Sequence, residues 1–264
     1  VYFNNVIYIN HFQKNQSKRT KLLLSSFIVL FATYTLNAQT IQIGSGTTNT
    51  NYLSTTIPLQ NFSYGYSQQI VGAQEFSLAD GMAGNITKIR WMFPNPATVK
   101  TNYGDWDIWI GHTTKTEFAS TTDWEPIANL TQIFSGNIHT LPFPLTTDQW
   151  FEIEFSTPFL YNGTDNIVVA VHEKTPGWAA IGLTIRTYAS TPNSGIIYRN
   201  NNTNPDPANP PTANSRVAIL PQLQFEGVMA SCVSPTDLTF TKTTLTSATL
   251  EWTSDGNLFD VVRT

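Results

Sequence analysis

Residues 150–174 read WFEIEFSTPFLYNGTDNIVVAVHEK, and their reading decides the fold. Phe151, Ile153 and Phe155 alternate with Glu152 and Glu154, the pattern of a strand with one dry and one wet face. Ile167 to Val171 is apolar at every position and is bounded by Asp165, Asn166, Glu173 and Lys174. Such a run needs cover on both faces, as in a sheet packed on another layer. Pro158 rules out an uninterrupted central strand between the two segments, and Asn162-Gly163 predicts a tight turn with positive φ. The expectation is an all-β chain with an antiparallel two-sheet β-sandwich.

Composition agrees. Of 264 residues 12% are charged and 12% aromatic, and strand-forming Thr, Tyr and Phe outweigh helix formers. Long helices are not expected beyond the first 40 residues. The formal charge is -4. Residues 1–38 hold four of the 14 basic side chains (Lys14, Lys18, Arg19, Lys21) and none of the 18 acidic ones, so the remainder stands at -8. An acidic surface without a Lys/Arg cluster argues against nucleic acid and anionic lipid as partners. Cys232 is alone, so stability must come from the core.

Lys18, Arg19 and Lys21 precede the apolar run Leu22 to Leu36 and then Asn37-Ala38-Gln39. This is the order of a secretory signal peptide, read here as residues 18–38 with a signal helix and cleavage after Ala38. A membrane span needs roughly 20 apolar residues, and this run contains Ser25, Ser26, Thr33 and Thr35. Residues 1–17, without an initiator Met, read as a gene-start extension. The expected location is secreted or at the outer cell surface, with no membrane contact after cleavage.

Residues 39–228 form the expected sandwich of about eleven strands, with no helical stretch of crossover length. An edge segment opens it (residues 41–63), Ile86, Lys88 and Arg90 share one face of a following strand, and Ile138 to Leu145 is a short strand. The Pro- and Asn-rich run 200–214 (NNNTNPDPANPPTAN) has no large apolar residue and reads as an exposed loop that buries nothing. A linker at 229–234 ends the domain.

From Ser234 the chain reads SPTDLTFTKTTLTSATLEWTSDGNLFDVV. With Pro235, Leu238, Ser247-Ala248-Thr249-Leu250, Trp252 and then Phe259 to Val262, it resembles the first three strands of a fibronectin type III domain. The resemblance implies a partial, truncated Ig-like sandwich over 235–264, with Trp252 in its core. The phrases IGSGTTNTNYL, GHTTKTEFASTTDWEPIANLTQIFSG, TPFLYNGTDNIVVAV and NTNPDPANPPTA look like those of jelly-roll-like N-terminal sandwiches that precede such repeats in cargo of bacterial type IX secretion. That likeness implies export and a modular, surface-displayed protein whose further domains are its own partners.

Chemistry is sparse. His112, His139 and His172 are separated by 27 and 33 residues, which matches no metal-ligand spacing, and no HExxH, GxSxG or dinucleotide motif occurs. Glu152 and Glu154 share a strand face with Cα atoms ~6.5 to 7 Å apart, the ordinary way to solubilise a strand. No catalytic residue is assigned, and the chain is read as no enzyme. No cofactor is expected apart from a structural Ca²⁺, for which Asp80, Asp105, Asp107 and Asp165 in or beside turns are the candidate ligands; the alternative is turn-favouring Asp. Trp106, Trp109, Trp124, Trp178, Tyr103 and Tyr188 exceed what a core of this size needs, and exposed rings bind sugars or protein partners. Ile108 and Ile110 lie on the Trp106 side of DWDIWIGH, which assigns Trp106 to the core and leaves Trp109 outside. Trp178, Trp109 and Tyr188 are the candidate ligand contacts.

The chain thus reads as a non-catalytic extracellular module of a larger secreted protein that binds a glycan or a surface protein. The alternative is an accessory region of a secreted hydrolase, peptidase or glycosidase, whose catalytic domain lies outside these residues. A stand-alone enzyme would need a convergent polar cluster that the sequence does not assemble.

Overall fold

The computed structural model describes residues 5–8, 38–51, 57–58, 62–78, 83–94, 104–142, 146–177, 184–229, 236–243 and 248–253. Its strands, in chain order, are β1 (Asn5–Tyr8), β2 (Ala38–Ile43), β3 (Asn49–Asn51), β4 (Tyr64–Val71), β5 (Gly84–Phe93), β6 (Asp105–Thr113), β7 (Thr131–Asn137) and β8 (Gln149–Tyr161). Then come β9 (Asn166–Glu173), β10 (Thr184–Ala189), β11 (Gly195–Asn200), β12 (Ser215–Val217), β13 (Ile219–Pro221), β14 (Leu223–Met229), β15 (Thr236–Thr243) and β16 (Ala248–Thr253). One six-residue helix, α1 (Ala73–Leu78), follows β4.

The chain divides into two units, residues 37–229 and residues 1–36 with 230–264. In the second, β1, β16 and β15 make a three-stranded antiparallel sheet with β16 in the middle. Residues 5–8, set aside as an extension in the sequence, supply its edge strand. The expected signal helix lies outside the described residues.

Unit 37–229 is a layered, antiparallel all-β sandwich. One sheet has the order β12-β11-β4-β9-β6-β7, the other β2-β14-β5-β8, and a small sheet β13-β10-β3 completes it. Inward residues of both large sheets form one apolar core, among them Ile41, Ile89, Trp91, Trp106, Ile108, Phe151, Ile153, Val169 and Phe225. The alternation that defines β8 is realised, with Phe151, Ile153 and Phe155 buried and Glu154 exposed. In β9 the unbroken apolar run serves two layers at once. Ile167, Val169 and Val171 enter the sandwich core, while Val168 and Ala170 enter a second apolar cluster on the outer face of the six-stranded sheet.

That outer cluster is roofed by loops. Phe118 and Trp124 of loop 114–130 are buried, and Gln68 of β4 pins the loop by donating to the Glu125 carbonyl and accepting the Glu125 N–H, both at 2.8 Å. Loop 200–214 corrects the expectation that it buries nothing. Pro205 and Ala213 are buried, the Pro211 carbonyl accepts the Trp124 indole N–H at 3.0 Å, and His172 Nε2 donates to Asn204 Oδ1 at 2.7 Å. Proline rings and a methyl group close a sheet face without any large side chain when backbone carbonyls and amides satisfy the polar atoms beneath.

Local irregularities explain three further departures. β8 is continuous through Pro158, but it is an edge strand, and its register against β5 steps from Phe159↔Ile86 to Glu154↔Lys88. Proline is accommodated in that bulge, on an edge. A bulge in β5 at Thr87, facing the Glu226/Gly227 step of β14, turns both Ile86 and Ile89 inward and leaves Lys88 and Arg90 outside; Ile86 does not share their face. Ile138 opens a 3-10 turn, Ile138–Thr140, rather than a strand. The Asn162-Gly163 turn forms with Gly163 at φ +80°.

The β5 bulge depends on Gly227 of β14, which faces it. A Cβ there would lie 2.0 Å from the Asn85 carbonyl oxygen and 2.7 Å from Ile86 Cα, and backbone atoms of a central pair cannot move aside. Gly227→Ala is expected to destabilise the sandwich by about 2 kcal/mol, read as a lower urea midpoint. An unchanged midpoint would show that β5 and β14 do not approach this closely.

Candidate functional site

The end of β2, the following loop, α1 and β10 meet in an open recess of about 500 Å³ lined by Gln42, Gly44, Ser45, Thr48, Glu75 and Tyr188, among others. Its floor is aromatic because residue 44 has no side chain. Gly44 has φ +76°, and a Cβ there would lie 2.2 Å from Tyr188 Cδ1, so the tyrosine ring lies against bare backbone. Backbone and side-chain bonds hold the loop. The Thr187 N–H donates to the Thr48 carbonyl at 2.9 Å, Arg186 donates to the Thr47 carbonyl at 2.6 Å, and Gln222 donates to the Gly46 carbonyl at 2.9 Å.

Tyr188 is half-buried and packs against two apolar clusters. Burial, with the Glu75 charge beside it, raises its pKa, so the phenol stays neutral. Glu75 Oε2 accepts the Gly72 N–H at 3.0 Å, which fixes the carboxylate at the start of α1. The arrangement presents a fixed ring edged by hydroxyl, amide and carboxylate groups. It can hydrogen-bond and stack on a ligand, as binding clefts of this size do.

A second recess, about 390 Å³, lies among His112, Thr113, Lys115, Glu125 and Asp165. Its polar groups are engaged. Glu125 accepts from Thr113 Oγ1 and Asn129 Nδ2, each at 2.8 Å, Lys115 pairs with Asp123, and His112 Nε2 accepts the Asn162 N–H at 3.1 Å. Burial lowers the His112 pKa against the opposing pull of Asp165, consistent with a neutral acceptor.

Two of the candidate ligand contacts, Tyr188 and Trp109, are not brought together. Tyr188 lines the first recess, whereas Trp109 is half-buried on the outer face of the six-stranded sheet, packed against the cluster of Tyr66, Phe118 and Trp124. Trp178 lies outside the described residues, as do Tyr103 and Asp80. Of the candidate Ca²⁺ ligands, Asp105 and Asp107 are neighbours, but Lys174 Nζ donates to both Asp107 oxygens at 2.8 Å and lies 4.0 Å from Asp105. Asp165 stands at the opposite end of β9, where it accepts Asn162 Nδ2 at 2.7 Å. Among the described residues no group of three or more His, Cys, Asp or Glu side chains is placed to hold a metal.

Gln42, Gly44, Thr48 and Glu75 were not legible as site residues. Gly44, Ser45 and Gly46 lie in the quoted phrase IGSGTTNTNYL, but the partner ring lies 144 positions away, and no local pattern joins them. No protein-family model, curated protein or solved structure matches this chain.

Proposed function

We propose that the chain is a non-catalytic extracellular binding module of a larger secreted or surface-displayed protein, whose ligand is a glycan or a protein surface. The observation that carries the reading is the Tyr188 recess, an aromatic floor with hydroxyl, amide and carboxylate groups at its rim. Its one carboxylate already holds the Gly72 N–H, which suits attachment better than proton transfer. The finer readings belong here too. Residues 39–228 are read as jelly-roll-like and residues 235–264, with β15 and β16, as the opening strands of a fibronectin type III-like module. The basic and apolar order of residues 18–36 supports export.

A glycan array probed with the full chain tests this. Signals are expected to fall about tenfold, worth ~1.4 kcal/mol, in Tyr188→Ala and in Ser45→Trp, which fills the exposed rim while leaving the core alone. Binding that survives both substitutions removes the recess from the reading.

A further inference from the structure

The outer faces of the two large sheets differ. The six-stranded sheet is roofed by loops, but the four-stranded sheet exposes a regular polar grid. Gln42, Gln224, Arg90 and Glu152 stand side by side in one row across β2, β14, β5 and β8, and Gln224 Nε2 donates to Gln42 Oε1 at 3.3 Å. Arg90 Nε donates to Glu152 Oε2 at 2.6 Å and Arg90 also pairs with Glu226. Lys88 bridges the same two carboxylates at 3.0 and 3.5 Å. Two cations and two anions therefore close on one another, and with the exposed Glu154 beside them on β8 the grid presents hydrogen-bonding capacity with a net charge of only one carboxylate. Two residues before Glu152, on the same face, Trp150 is half-buried beside its register partner Met92. At the opposite edge Gln42 also lines the Tyr188 recess, so row and recess are continuous.

We propose that this face binds a neutral, extended polysaccharide, laid across the strands from the Tyr188 recess toward Trp150. The proposal rests on the binding-module reading above and names its ligand class. An anionic ligand would have to break the ion-pair network to reach Lys88 or Arg90, and a cationic one would meet outside that network the lone exposed carboxylate of Glu154. A chain of hydroxyls needs only the remaining lone pairs and the amides, which recur at the strand spacing of about 4.8 Å, close to the length of one sugar ring. Trp150 supplies a ring face for the C–H side of a sugar.

Affinity electrophoresis of the full chain in gels containing hydroxyethylcellulose, xylan or galactomannan tests this, with polygalacturonate and chitosan as charged counterparts. Retardation by at least one neutral polymer is expected. It should weaken about tenfold in Trp150→Ala and several-fold in Gln224→Ala, a half-exposed substitution that spares the fold, and it should persist at 0.5 M salt, about where exposed charges are screened. Binding confined to the charged polymers, or lost in salt, overturns the neutral ligand. Binding removed by Tyr188→Ala but untouched by Trp150→Ala and Gln224→Ala overturns the sheet face while sparing the recess. Binding to none of the five overturns this ligand class, and binding on the glycan array would then stand or fall separately.

Discussion

Raising the pH from about 5 to about 8 is expected to remove on the order of 3–5 kcal/mol of stability that the Glu173→Gln variant does not lose over the same range. Glu173 is 1% exposed at the end of β9. Its Oε1 accepts the Thr175 N–H at 2.8 Å, and its Oε2 has no partner among the described residues. Burial first, and the nearby Asp105 charge as a smaller contribution, push its pKa from 4.5 to about 8, against the Thr175 hydrogen bonds. The folded chain thus holds a proton that the unfolded chain releases. Stability is complete below pH 4.5, where both states are protonated, and falls by up to ~1.4 kcal/mol per pH unit until the folded carboxyl ionises near pH 8. His172 works in the opposite sense, because burial lowers its pKa and its contribution is lost only on acidification. Comparing parent with variant at each pH isolates Glu173. Urea unfolding followed by tryptophan fluorescence gives the measurement, and parallel pH profiles for the two proteins would sink the prediction.

Glu173 also marks the limit of what the sequence discloses. Its charge makes it look like the solvent boundary of the apolar run at 167–171, but parity continues: Ile167, Val169, Val171 and Glu173 share one face, and His172 follows Val168 and Ala170 on the other. Strand periodicity assigns direction irrespective of residue type, so a strand longer than its apolar run carries polar side chains into both layers. The core itself was legible because β8 and β9 are patterned by burial alone. The bulges at Thr87 and near Pro158 were not, since one extra residue reverses the facing of all that follow it.

The site was less legible than the core for a related reason. Tyr188 was recognisable as an aromatic in excess of what the core needs, yet its recess is made by Gly44, which contributes an absence, and by Glu75 from α1, a six-residue helix too short to show a helical period in the sequence. The polar row across β2, β14, β5 and β8 appears only when register is known. Along the chain its members lie at residues 42, 90, 152 and 224, and each reads alone as an ordinary wet-face residue. Loop 200–214 failed in the opposite direction. Its composition describes what it exposes, whereas its position over Trp124 and His172 decides what it covers.

The facing of β6 has the second large consequence. Trp106 and Trp109 stand three residues apart on one strand and are expected to differ sharply when truncated. Trp106 is 1% exposed, sits among the inward residues of both large sheets, and meets Trp91 edge to face with ring centroids 6.2 Å apart. Removing it leaves an indole-sized void between two sheets, each held rigid by its own hydrogen-bonded ladder, that cannot collapse into it. Trp106→Ala should therefore cost about 4 kcal/mol, a large share of the roughly 5–15 kcal/mol that holds a typical domain. Trp109 faces the roofed side, half-buried against the Tyr66 cluster, where loop 114–130 can settle into the space. Trp109→Ala should cost about 1–2 kcal/mol, lost contact area without a locked cavity. Equal losses in calorimetric melting of the two variants would mean that both faces of β6 are packed alike, and the distinction between a sheet-on-sheet core and a loop-covered outer layer would then fail.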